Sequence, residues 1–500
     1  MPIKTAYGKI GVTSDHPLAT KIGIEILESG GNAFDAAIAV SAVLAVVQPH
    51  LGGLGGDAFL LGVMGDDIVA IASSGKSPKG FKVDRYLEEK PTRGPLTVTV
   101  PGLVHLWGYI YEKYSSMPLE SLIKPAIKLA YNGFHAGWSL ATASRVYEAE
   151  LSRYKWAKYF RGINQGDLVV NKELYTALRL IATRGWDEFY YGGLAEVVVN
   201  ELQEQSVDIG LDDLMEHESS AVKPLKLNVD NKTLYELPPN TQGASTLQLI
   251  SALYELELHR YRFDDPERIF AWSEPINNVY LFRDMYLGDP DYMKIDINYY
   301  INYREVKRAL HSATTKPGTF NINRGDTTFF AVSDGETLVG FIQSLFYPFG
   351  SGLVAHGFPL QNRGVGFAKT IGLPNSPAPG KKPLHTLSIL LVDDDRSKYI
   401  IGCVGGDYRP QLHLRVYENI FVYNMHPSKA VDVPRFIYTK PYNGQQVVVE
   451  SPFPVKTHET IKTEVVDYYN GPGYVHILFL CKGVAGLTND PRSEGASIAI

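Results

Sequence analysis

The sequence predicts an α+β fold, a layered α/β/β/α unit built from both halves of the chain. Three observations support it. Residues 101–205, and then about 244–310, read as helices with short breaks. After Thr315-Lys316-Pro317-Gly318 the pattern changes to short β-rich segments at 327–345, 352–361, 386–393, 398–404, 446–450 and 474–481. Helices in that half are few, at about 409–424 and 456–467. Strands also stand near the N-terminus, so strands come from both ends of the chain. A two-domain α+β protein without such a sandwich is the alternative.

Taken in order, residues 9–15 read as a strand. A helix from Leu18 to Glu28 stops at Ser29-Gly30-Gly31-Asn32, a glycine C-terminus. Asp35 to Val47 is a helix apolar on all sides, the kind that lies between layers. Gln48-Pro49-His50 breaks it, and Leu51-Gly52-Gly53-Leu54-Gly55-Gly56-Asp57 leads into the strand Ala58–Met64. That glycine loop is no phosphate cradle: a strand follows it, and the Gly-Lys-Ser/Thr of a P-loop is missing. Close backbone packing beside a site is the better reading. A hairpin follows around Gly65-Asp66-Asp67. Helices run from Leu103 to Tyr114, Pro118 to Ala130 and Ala244 to Leu256, the last after a strand that ends in the Pro238-Pro239 loop.

At 500 residues the chain is long enough for two or three domains or one large layered unit. Hydrophobic content of 45% and charged content of 20% are ordinary for a soluble globular protein. A net charge of −6 argues against a nucleic-acid binder. Cys403 and Cys481 sit in apolar runs and read as buried free thiols, with no metal-ligand spacing to any histidine. The N-terminus shows no apolar secretory core, and the longest apolar stretch, about twelve residues from Ala36, is too short to span a bilayer. A cytoplasmic location is the expectation, and no cofactor, metal or nucleic-acid partner is expected.

The chemistry gathers around Thr327. Phe329 to Val332 is a short apolar strand, Ser333-Asp334-Gly335-Glu336 is a turn, and Thr337 to Ile342 returns. A threonine at the mouth of a buried strand can serve as its own nucleophile and base if the bond before it is cut. Its hydroxyl attacks while the freed α-amine, with a pKa of roughly 7.7–8.0, takes the proton. A plain core hairpin is the alternative. Thr314-Thr315 is the weaker candidate, because Lys-Pro-Gly follows it. Phe349-Gly350-Ser351-Gly352 reads as a hairpin-end turn. Gly402-Cys403-Val404-Gly405-Gly406-Asp407 is a strand running into a double glycine, a turn that can present two backbone N–H groups to an oxyanion. Lys381-Lys382-Pro383-Leu384-His385-Thr386 enters a strand with polar groups at its mouth. No Ser-His-Asp order or Gly-x-Ser-x-Gly elbow competes.

Further motifs stand in order along the chain: Ser14-Asp15-His16-Pro17-Leu18-Ala19, Gly30-Gly31-Asn32-Ala33-Phe34-Asp35-Ala36-Ala37, Pro49-His50, Val100-Pro101-Gly102, Gly243, Tyr286-Leu287-Gly288-Asp289-Pro290 and Asp490-Pro491-Arg492. With Thr327-Thr328 and Gly405-Gly406, this set resembles the γ-glutamyltranspeptidase family of N-terminal-nucleophile hydrolases over nearly the whole chain. The resemblance implies a four-layer αββα fold and a precursor that cuts itself at Asp326–Thr327. The fragments 1–326, helix-rich with strands at its start, and 327–500 would stay associated as one unit. It implies Thr327 as nucleophile, Ser344 as a supporting hydroxyl, and Gly405 and Gly406 as the oxyanion hole.

The substrate positions depart from the family pattern. Ser74, before Pro78, stands where the family has an arginine that grips the glutamyl α-carboxylate. Gly366 stands where an acidic residue holds the α-amino group. Phe346 takes the place of a substrate-binding asparagine, and His385-Thr386 the place of paired serines. Each lost charged hydrogen bond costs about 1.5–3 kcal/mol, so the resemblance implies weak γ-glutamyl recognition. Arg363 is a new cation in the same loop that offers a bidentate partner to a carboxylate; a surface arginine is the alternative. Gln361-Asn362-Arg363-Gly364 with Pro383-Leu384-His385-Thr386 resembles a subgroup associated with non-glutamyl amides such as oxamate. Three outcomes stand open: a hydrolase of a small carboxylate-bearing amide, a true γ-glutamyl hydrolase or transferase, and an uncleaved binding scaffold.

Overall fold

In the computed structural model, residues 4–313, 326–442 and 445–500 are described, with Asp326 described in its backbone alone. The Thr314-Thr315 pair and Gly325 lie outside these residues. The helix Ala33–Val47 shows how the layers form. It is buried along its whole length, and its start is closed by a capping box. The Asn32 carboxamide oxygen accepts from the Phe34 and Asp35 N–H groups at 2.9 Å, and Asp35 accepts the Asn32 N–H at 3.0 Å.

Two seven-stranded sheets lie between helical layers. The first runs Ala6–Gly8, Val484–Asn489, Tyr474–Cys481, Ser397–Val404, Ile389–Asp393, Lys232–Glu236 and Leu225–Val229, in order of neighbours. The second runs Ala496–Ala499, Gly11–Ser14, Asp326–Ser333, Thr337–Phe346, Asp57–Met64, Asp67–Ser73 and Ser220–Ala221. Each sheet mixes strands from before and after Thr327.

The strand period of two assigns the faces. Phe329, Ala331, Leu338 and Ile342 of the second sheet share one buried cluster with Ile389, Leu391, Ile400 and Leu478 of the first, which is the core between the sheets. Phe330, Val332, Val339 and Phe341 point the other way, into the core formed with the helices Pro17–Glu28, Ala33–Val47 and Leu103–Tyr114. The outer face of the first sheet packs on the helices Gly243–Glu255, Ser273–Tyr286 and Arg409–Tyr417. The result is the αββα sandwich. Gly340 shows how close the sheets lie: a Cβ there would meet Ile400 Cγ2 at 2.6 Å and Ile389 Cγ2 at 3.0 Å.

Several expectations need correction. No helix forms at 456–467; residues 462–466 are a strand parallel to Gln446–Glu450. Thr463, Val465 and Val466 are β-branched and fit a pleat, and the ladder satisfies their backbone. The strand expected at 352–361 is interrupted by His356 and Gly357, both at positive φ, leaving the two-residue strands Val354–Ala355 and Phe358–Pro359. The helix from Arg409 ends at Tyr417 and continues as the wider turn Glu418–Val422. Cys403 is buried, but Cys481 is only half-buried, beside the turn at Lys482-Gly483. Among the described residues no helix is long and apolar enough to cross a membrane.

Candidate active site

Thr327 lies near the start of its strand, at an irregularity between Asp326 and Thr328, and is 1% exposed. The strand is clamped just beyond it. The Phe329 N–H donates to Asp15 Oδ2 at 2.7 Å, and Asp15 Oδ1 meets His476 Nε2 at 2.6 Å. The Ser14-Asp15-His16 motif therefore has two local tasks. Asp15 holds the Thr327 strand, and His16 caps the next helix, its Nδ1 accepting from Leu18 N–H at 3.2 Å.

The Thr327 hydroxyl sits between two groups. It donates to Ser344 Oγ at 3.2 Å, and Ser344 Oγ accepts the Phe346 N–H at 2.8 Å. It accepts from Arg409 Nη2 at 3.1 Å. Arg409 was not singled out in the sequence. Its Nε donates to Cys403 O at 2.8 Å, and its Nη1 bonds the Thr386 carbonyl. One guanidinium thus ties the Thr327 hydroxyl to the loop at 386 and the end of the strand at 403. Burial lowers its pKa from the ordinary value.

Gly405 and Gly406 follow the strand Ser397–Val404 and turn the chain into the helix Arg409–Tyr417. Gly406 has φ +53°, a conformation that favours glycine, and a Cβ on Gly405 would press on Leu412 Cδ1 at 2.6 Å. The Gln242 carboxamide bridges the Gly406 carbonyl at 2.9 Å and the Thr386 carbonyl at 2.6 Å. Asp407 pairs with buried Arg283 at 2.7 Å. The turn is therefore braced from both sides.

A second cluster centres on Asp57, which heads its strand opposite Ser344 and is fully buried. Its Oδ1 accepts from Gln361 Nε2 at 2.9 Å and from the Gly75 N–H at 3.1 Å. The Leu387 N–H donates to His385 Nδ1 at 3.4 Å, so Nε2 carries the proton and donates to Asp57 Oδ2 at 3.2 Å. Burial, and then the charges of Arg363 and Arg409, hold His385 well below its ordinary pKa, and the ring is neutral. Burial pushes the Asp57 carboxyl up to about 7, against the opposing pull of Gln361 and Arg363.

Arg363 is not on the surface. It is 0% exposed, with its guanidinium 4.1 Å from the centre of the Phe346 ring. Nη1 donates to Thr386 Oγ1 at 3.4 Å, while Nε and Nη2 have no hydrogen-bond partner among the described residues. Burial lowers its pKa to about 9.

The remaining positions are structural in their contacts. Ser74 Oγ donates to Asn240 Oδ1 at 3.1 Å. Both ends of the Asn362 amide are committed, to the Tyr347 N–H at 3.0 Å and the Thr92 carbonyl at 2.8 Å. At Gly366 a Cβ would come within 2.6 Å of the Leu384 carbonyl oxygen, so no side chain fits. Gly55 and Gly56 pack backbone against backbone, on Pro359 and Ser344, as expected of that loop. Ser351 Oγ closes its turn on the Leu360 carbonyl at 2.8 Å. A cavity of about 380 Å³ opens beside this region, lined in part by Ser77, Val100, His217, Asp289 and Lys382.

The structure thus brings together Thr327, Ser344, Arg409 and Thr386, and links Thr386 to Arg363 and Phe346. Sequence reasoning missed Arg409 and Asp57. Asp57 had a signal, a carboxylate heading an apolar strand. Arg409 had only its place three residues beyond Gly-Gly.

The family model described as gamma-glutamyltranspeptidase matches residues 19–500. The chain is 32% identical to the glutathione hydrolase-like YwrD proenzyme of Bacillus subtilis, covering 98% of both chains. It is 28% identical to the oxamate amidohydrolase proenzyme of Klebsiella pneumoniae, over 96% of this chain and 97% of that protein. The crystal structure of cephalosporin acylase from Bacillus halodurans superimposes with a TM-score of 0.88 and 26% identity, over 99% of this chain and 97% of the other.

Proposed function

The chain belongs to the γ-glutamyltranspeptidase family of hydrolases and acyl transferases, and from that premise we propose that it is a self-cleaving amidohydrolase acting on a small amide that carries a carboxylate. The observation that supports the substrate class is Arg363. A buried guanidinium with two N–H groups unpartnered is costly to maintain, and Nε and Nη2 form the fork that suits a carboxylate. The glutamyl alternative lacks its anchors: Ser74 is turned to Asn240, and Gly366 has no room for an acid. An oxamate amidohydrolase and a cephalosporin acylase, both named for amides other than glutathione, are among the proteins this chain resembles.

In this reading the chain cuts at Asp326–Thr327, leaving segments 1–326 and 327–500 together and freeing the Thr327 α-amine. Oγ1 of Thr327 adds to the substrate amide carbon while its proton passes to that amine. The Gly405 and Gly406 N–H groups receive the oxyanion, a contribution of about 2.7–4 kcal/mol per donor in other enzymes. The C–N bond then breaks, the leaving nitrogen takes the proton, and water hydrolyses the Thr327 ester. Ser344 holds the hydroxyl in position, and Phe346 gives Arg363 a flat face to rest on.

Denaturing electrophoresis with N-terminal sequencing tests the first step. A fragment beginning at Thr327 is expected, and Thr327→Ala stays uncut and inactive; cleavage persisting in that variant places the nucleophile elsewhere. Turnover of oxamate and short ω-amide acids is then compared with turnover of a γ-glutamyl anilide. Efficient turnover of the anilide alone overturns the substrate class.

A further inference from the structure

Arg409 is the one cation in direct contact with the Thr327 hydroxyl among the described residues. It is fully buried, and three N–H groups are aimed at three fixed acceptors: Cys403 O, Thr386 O and Thr327 Oγ1. Among the described residues no carboxylate is in ion-pair contact with it. The nearby acids are otherwise engaged, Asp407 with Arg283 at 2.7 Å and Glu236 with His413 at 3.1 Å. Two of its three bonds hold the guanidinium still against backbone carbonyls, so the third is directed and charged. A buried residue serving only to cross-link two loops has no need of a charge placed on a hydroxyl.

We propose that Arg409 is a catalytic residue, which donates a charged hydrogen bond to Oγ1 of Thr327 in self-cleavage and in turnover. The proposal rests on Thr327 being the nucleophile. In self-cleavage Oγ1 bonds to the Asp326 carbonyl carbon, the C–N bond breaks, the Thr327 nitrogen keeps the electron pair and gains a proton, and water hydrolyses the ester. In turnover the demand on Arg409 is greatest when the acyl group leaves. Water adds to the ester carbon, the Oγ1–C bond breaks with its electron pair on Oγ1, and Oγ1 regains its proton from the α-ammonium. A cation already bonded to Oγ1 stabilises that departing oxygen, as charged donors do. The Thr327 nitrogen is three bonds from Oγ1, which Arg409 Nη2 touches at 3.1 Å, and a like charge at that range disfavours the ammonium form. Arg409 therefore also keeps the α-amine free to act as base.

The test follows self-cleavage of the full chain in cell-free translation, by electrophoresis from the moment of synthesis, for wild type, Arg409→Gln, Arg409→Lys and Arg409→Ala. The neutral Gln variant is expected to cut roughly ten- to a hundredfold more slowly, with Lys in between. Guanidinium ion at low millimolar concentration is expected to speed the Ala variant, while urea, of the same shape and uncharged, does not. Cleaved Gln variant is expected to show its acid limb of kcat/KM moved up by about one pH unit, with Lys leaving the limb in place. Equal cleavage rates in wild type and Gln, or equal rescue by urea and guanidinium, overturn the proposal. If instead the wild-type fragment does not begin at Thr327, it is the nucleophile assignment that falls. Should the Gln and Ala chains fail to fold by circular dichroism, the Lys variant decides: cleavage within about tenfold of wild type supports a charge requirement, and cleavage lost beyond that from a folded, fully charged Lys variant overturns it.

Discussion

Keeping Arg363 buried over Phe346 costs desolvation that one 3.4 Å hydrogen bond to Thr386 does not return. A guanidinium in that state stabilises a bound carboxylate more than it stabilises the free protein. Arg363→Met is therefore expected to hold or raise the melting temperature while lowering kcat/KM for carboxylate-bearing amides roughly ten- to a hundredfold, the worth of a charged hydrogen bond. Amides without a carboxylate are expected to be unaffected. Differential scanning fluorimetry with paired substrates checks both; an equal loss on neutral amides would assign Arg363 to general packing. The residue's burial was not legible in the sequence, where an arginine in a polar loop reads equally as surface. The position was legible, because the resemblance aligned the loop.

At the scale of elements, the Thr327 strand is positioned by contacts distant in sequence. Asp15 satisfies a backbone N–H two residues past Thr327 and is itself held by His476. Asp15→Ala leaves a buried donor on Phe329 and takes the Nε2 partner from His476, whose Nδ1 keeps Asn489. The expected loss is about 3 kcal/mol in urea unfolding, together with slowed self-cleavage. Unchanged cleavage kinetics in a destabilised variant would show that the clamp supports the fold alone. The Thr327 hairpin was legible because a period-two pattern and a turn signal are local. The helix expected at 456–467 failed because its outcome depends on a partner strand, Gln446–Glu450, that no local pattern reveals.

At the scale of the molecule, the sandwich buries a polar cluster between its layers, and Asp57 makes that burial depend on pH. Its native pKa, about 7, lies above the ordinary 3.8, so the folded state keeps a proton that the unfolded chain releases. Stability contributed by this group therefore falls as pH rises from 3.8 to about 7 and is level above that. In Asp57→Asn this fall is absent, so the variant gains on the wild type across that window. Urea midpoints from pH 4 to pH 8 measure it; a constant difference across the window would remove Asp57 as the source.

The sequence by itself determined most of the helices and strands, the family resemblance, the Thr327 hairpin and the glycine turn at 405–406. Those features are written in local periodicity, in glycine's tolerance of positive φ, and in motifs that keep their order along the chain. Only the tertiary structure decided that Arg409 touches the Thr327 hydroxyl, that Arg363 is buried with a free fork, and that Asp57 and His385 form a buried hydrogen-bonded pair. Arg409, Asp57 and Arg363 lie 82, 270 and 36 residues from Thr327 along the chain. Their charge states and contacts come from desolvation between two packed sheets, which no stretch of sequence contains alone.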